Sequence, residues 1–132
     1  MNDAQLLEQF LNHTLNPELM NHETHLRLAW CLLQKHPLAE AIAFYRDGLL
    51  AIVAKVNLQE KYNETITYAL MLVIYDRINH SKKGGSFNDF LAENCDLQDD
   101  CIGVLRQFYK PETLFSDAAR IRFHFPDRPH SL

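Results

Sequence analysis

The chain contains no apolar run near the ~18 residues that a membrane-crossing helix requires. It has no basic n-region either: Met1-Asn2-Asp3 is not the start of a secretion signal. No run of Lys and Arg exceeds Lys82-Lys83, and the formal charge is -4. That balance excludes the basic stripe by which a nucleic-acid-binding surface is recognised. Cysteine is sparse and odd in number. Cys31, Cys95 and Cys101 lack both C-x-x-C and framework spacing, so neither a disulfide scaffold nor a thiolate metal site is expected. These absences point to a cytoplasmic location, with thiols kept reduced. Four glycines and five prolines leave no Gly-rich phosphate loop and no nucleophile elbow. A repeat at solenoid period is also missing.

What remains is helical. Tyr68 to Tyr75 reads YALMLVIY, without a charge, and at 3.6 residues per turn it is apolar on every side. Such a segment belongs in the middle of a bundle. The spacing predicts a central buried helix over 61–79. Further helices are expected over 4–11, over 22–35 capped by Asn21, and over 38–56 behind Pro37. Three more are expected over 87–93 capped by Ser86, over 97–109 capped by Asp96, and over 112–123 opened by Pro111. Residues 81–85 read as a flexible loop, 123–127 as an extended tail lying back on the bundle, and 128–132 as frayed. The fold class is therefore all-α: one domain over 1–132, a compact bundle of about five to seven helices around the central one. Residues 1–20 form a peripheral segment and 124–132 a tail. Gly48 costs its helix roughly 1 kcal/mol against alanine, which suggests a close neighbour.

Polar chemistry concentrates at the start of the central helix. Asn63, Glu64 and Thr67 share one arc, and buried polar groups must find partners. His22 and His25 stand three apart on the apolar side of the 22–35 helix, so both rings can reach one point. Two imidazoles and the Glu64 carboxylate with an open position suit a divalent metal such as zinc or iron. Without a metal, His25 is the acid or base and Glu64 its carboxylate partner. His22, Tyr62, Asn63 and Thr67 then orient a small polar molecule, and Arg120 neutralises an anionic one or pairs with Asp117. Against both stands the structural alternative, in which the same groups bond to each other and to main chain.

His22-x-x-His25-Leu26-Arg27-Leu28-Ala29-Trp30, Lys61-Tyr62-Asn63-Glu64-Thr65-Ile66-Thr67, Ser116-x-x-Ala119-Arg120-x-x-Phe123 and Pro126-Asp127 together resemble an uncharacterised family of small bacterial all-helical proteins. Its pattern is H-x-x-H-L-R-x-A-W followed by K-Y-H-E-T-x-T. The resemblance runs from about His22 to Asp127 and implies that the polar cluster is the family's shared feature. It implies no reaction. This chain has Asn63 where the pattern carries histidine, which counts against a metal here.

Two functions follow. The first is a small enzyme or small-molecule-binding protein with its site between the 22–35 helix and the start of the central one. The second is a non-catalytic helical adaptor or homodimer subunit, with Phe44 and Leu50 as contact surface and the polar cluster structural. Neither involves nucleic acid or membrane.

Overall fold

A computed structural model describes residues 1–82 and 84–128. Lys83, in the expected loop, and 129–132, in the expected frayed end, lie outside the described residues. Among the described residues nine α-helices follow one another: α1 Asp3–Leu11, α2 His22–Lys35, α3 Leu38–Lys55, α4 Glu64–His80, α5 Phe87–Glu93, α6 Cys95–Asp99, α7 Cys101–Leu105, α8 Pro111–Leu114 and α9 Asp117–Ile121. The fold is all-α, with no strand among the described residues. None of these helices is long and apolar enough to cross a membrane.

Local chemistry sets most boundaries. The Asn21 side chain accepts from the Thr24 N–H and starts α2, and Ser86 with Asp89 forms a reciprocal capping box on α5. Where one long helix is expected over 97–109, two short ones stand instead. Asp100 breaks the run, because its Oδ1 accepts from the Gly103 N–H at 3.0 Å and caps a fresh helix. Ser116 divides the 112–123 segment in the same way, accepting from the Ala119 N–H at 3.1 Å. In both places a side-chain acceptor competes with the continuing ladder. Asp96 does not act as a cap: it meets Arg77 in a two-pronged ion pair, whose guanidinium also reaches Asn94. That pairing ties the end of α4 to α6.

The core gathers Leu26, Leu28, Leu32, Tyr45, Met71 and Ile74, all at 1% exposure or less. Helix α4 packs on α2, α3, α7 and α9, and it shares the centre with α2, which packs on α1, α3, α4, α5 and α6. It is not enclosed on every side, since Leu72 and Tyr75 are 41% and 39% exposed. A second, smaller apolar group, with Ala69, Leu105, Tyr109 and Leu114, joins α4 to the C-terminal helices.

Gly48 has its close neighbour. A Cβ there would overlap the ring of Phe10, which is 1% exposed and stacked on Tyr45 with centroids 6.2 Å apart. The ring is hemmed in and has no room to retreat. Gly48→Ala therefore loses stability on denaturant titration despite alanine's better helix propensity: overpacking of about 1–3 kcal/mol outweighs a gain of about 1 kcal/mol. A more stable variant would contradict this packing.

Candidate functional site

The polar groups at the start of α4 are held by helix-capping chemistry. The helix begins at Glu64, three residues later than the apolar pattern suggests, because Asn63 is its cap. Asn63 Oδ1 accepts from the Ile66 N–H at 2.9 Å, and its Nδ2 donates to the Leu114 carbonyl at 2.8 Å. Both ends of the amide are therefore used, one within α4 and one on α8. Thr67 is 5% exposed, and its hydroxyl donates back to the Asn63 carbonyl at 2.8 Å. That is the turn-local bond open to a threonine inside a helix.

Glu64 reaches the other way, toward α3. Its carboxylate accepts from Arg46 Nε at 2.9 Å and from the Tyr62 hydroxyl at 2.6 Å. The Glu64 side chain is 14% exposed and that of Arg46 38%. Burial raises the Tyr62 phenol above its ordinary range, and the bond to Glu64 reinforces the shift, so the phenol stays protonated and donates. Arg46 is the partner that the sequence reading missed. A single arginine beside the inward stripe of α3, facing the single carboxylate of the first turn of α4, is the signal that points to it.

Thr65 was also passed over as a site residue, and it is the most enclosed polar group of the turn, at 0% exposure. Its Oγ1 lies 2.7 Å from the Ala119 carbonyl and 3.0 Å from that of Arg122, and it accepts from the His124 N–H at 3.1 Å. One hydroxyl thus fixes α9 and the segment beyond it.

The histidines do not join this cluster. His22 was expected to face inward; it is exposed overall and its Nε2 donates to the Leu97 carbonyl of α6 at 2.7 Å. A carbonyl only accepts, so this contact fixes the tautomer with hydrogen on Nε2. His25 is half-buried and donates from Nδ1 to the Asn21 carbonyl at 2.9 Å. Its own carbonyl accepts from the Tyr45 hydroxyl at 3.3 Å. The expected metal set of His22, His25 and Glu64 is not brought together as one group among the described residues. Their contacts lie on α6, on the start of α2 and on α3, and no three His, Cys, Asp or Glu among the described residues form a group that could hold a metal ion. Arg120 is half-buried: its main-chain N–H donates to the Ser116 carbonyl at 3.1 Å, and its side chain makes no hydrogen bond or ion pair among the described residues, either with Asp117 or with the cluster.

Four grooves stand out on the surface. One, of about 690 Å³, is lined by Trp30, Leu33, Ile78 and Phe90 together with Gln34, Asp89 and Glu93. Another, of about 340 Å³, runs between α4 and α7. His22, His25, Tyr62, Asn63, Glu64, Thr67 and Arg120 line none of the four.

No family model, curated protein or solved structure matches the chain.

His25 provides a pH test. Burial lowers its pKa below the ordinary ~6.5, the bond to Asn21 opposes the shift, and charge on His22 adds to it. The unfolded chain then binds a proton that the folded chain resists. The stability contributed by neutral His25 is complete above about pH 6.5 and declines as pH falls toward the lower folded value. His25→Gln flattens this part of the stability profile between pH 7 and 5. A profile that keeps its slope in the variant assigns it to the other titrating groups.

Proposed function

We propose that the chain is a non-catalytic helical interaction module, with the polar turn at the start of α4 a structural clasp. One observation carries this reading: Asn63, Glu64, Thr65 and Thr67 all bond to groups of the chain itself. No buried side-chain nitrogen or oxygen among the described residues lacks a hydrogen-bond partner. A ligand site keeps donors and acceptors in reserve for its ligand, whereas these groups are already engaged. The exposed apolar surface needed by an interaction module lies mainly at the C-terminal end. Phe125, Ile121 and Phe115 are 83%, 67% and 61% exposed. Phe44 is 39% exposed but stacks on His36, and Leu50 is half-buried, so the surface expected on α3 is the weaker candidate.

The alternative, a small polar molecule bound or processed near His25 and Glu64, has one observation in its favour. Burial lowers the His25 pKa, and its Nε2 makes no hydrogen bond among the described residues. A base of that kind suits proton transfer.

Glu64→Gln separates the two. As a clasp, the carboxylate holds Arg46 and Tyr62, and its loss lowers unfolding free energy by about 1–3 kcal/mol. A carboxylate kept for chemistry leaves stability unchanged or raised when neutralised. The measurement is denaturant unfolding at pH 7, and an unchanged or higher midpoint contradicts the clasp.

A further inference from the structure

The segment beyond α9 carries a feature that the bundle does not use. Arg122 has extended backbone, with φ -146° and ψ 138°. Its carbonyl faces Thr65, the N–H of His124 faces the same hydroxyl, and the His124 carbonyl accepts from the Tyr109 hydroxyl at 2.7 Å. Main-chain groups of alternate residues, 122 and 124, therefore turn toward the bundle. In an extended chain the groups of the residues between them turn the opposite way. The N–H and C=O of Phe123 and Phe125 accordingly make no hydrogen bond among the described residues. Here an all-α protein holds a short extended segment with one side pinned to the bundle and the other open.

The side chains of that open stretch are unusual for an unprotected edge. Phe123 packs on Tyr68 with centroids 5.4 Å apart, and Phe125 meets Phe123 edge-on at 5.8 Å. Phe125 is 83% exposed. Edges left open in natural proteins are usually blunted by charge or proline. Pro126 limits this one on its far side.

We infer that this edge pairs with the same edge of a second copy, giving an antiparallel ribbon across a two-fold axis at His124. The inference rests on the interaction-module reading and names its partner. Open donors and acceptors sit at 123 and 125, symmetric about 124, so the segment is complementary to itself. In that register Phe123 lies opposite the second copy's Phe125, and each such pair exchanges both main-chain bonds. Aromatic cross-strand pairs are among the most stabilising. An isologous contact of this kind closes after two subunits. The alternation rules out a shift by a single residue, which would set the open groups against ones already committed to Thr65 and Tyr109.

Sedimentation equilibrium of the full chain over a concentration series tests it. Wild type is expected to pass from monomer to dimer by about 1 mM, and Phe125→Asp to associate at least about tenfold more weakly with an unchanged melting temperature. Register is read by cross-linking in a Cys95→Ser background. At the two-fold axis the Cα atoms of facing residues lie about 4.5 Å apart, within disulfide reach. His124→Cys then links two copies on oxidation and Arg122→Cys does not. A wild type that stays monomeric, a Phe125→Asp variant that dimerises as well as wild type, or equal cross-linking at 122 and 124 each overturns the ribbon. A monomeric wild type whose Glu64→Gln variant still loses stability overturns the ribbon alone and leaves the clasp intact.

Discussion

The hydroxyl of Thr65 is the contact on which α9 and the segment beyond it depend. It lies on the inner side of the central helix with no exposed surface, and main-chain groups of Ala119, Arg122 and His124 all converge on it. Helices α8 and α9 are too short to persist alone, having four and five residues. They hold their place because Leu114 packs into the small apolar group beside α4 and because Asn63 and Thr65 donate to the carbonyls of Leu114 and Ala119. Buried carbonyls without partners would each cost about 1–3 kcal/mol. The polar turn therefore stabilises the docked segment and also fixes which residues meet.

The same logic accounts for the rest of the turn. Glu64 sits where a carboxylate favours the helix dipole, and it reaches Arg46 on α3 as well. Two faces of one helical turn thus hold opposite sides of the molecule: Glu64 toward α3, Asn63 and Thr65 toward α8, α9 and the tail. Tyr62, just ahead of the helix, completes the α3 side through its bond to the carboxylate. A polar cluster with these commitments has the economy of a structural joint, and its enclosure in an apolar neighbourhood strengthens each bond.

Much of this was legible in the sequence, and the part that was not has a physical reason. Apolar periodicity located α2, α3 and the central helix, and Asn21 and Ser86 marked two starts directly. The wheel also singled out Asn63, Glu64 and Thr67 as polar groups on an inward arc. It could not say what they face, since helical spacing gives a direction and no partner. Arg46 lies eighteen residues away from Glu64 along the chain, and the Ala119 and Arg122 carbonyls have no side-chain signature at all. The histidines misled for a related reason: sharing an arc of α2 did not stop each ring from taking a carbonyl on a different element. Asp100 and Ser116 split two expected helices because a cap can begin anew wherever a short acceptor finds an N–H three residues on.

Amide hydrogen exchange at His124 tests the clasp most directly. Its N–H is bonded to the Thr65 hydroxyl, so it should be protected in the wild-type protein. Thr65→Val keeps the shape of the side chain and removes the acceptor. Exchange at His124 should then quicken by at least about tenfold, equivalent to a loss of about 1.4 kcal/mol, while amides in the middle of α2 stay as they were. Unaltered protection at His124 in the valine variant would contradict the account.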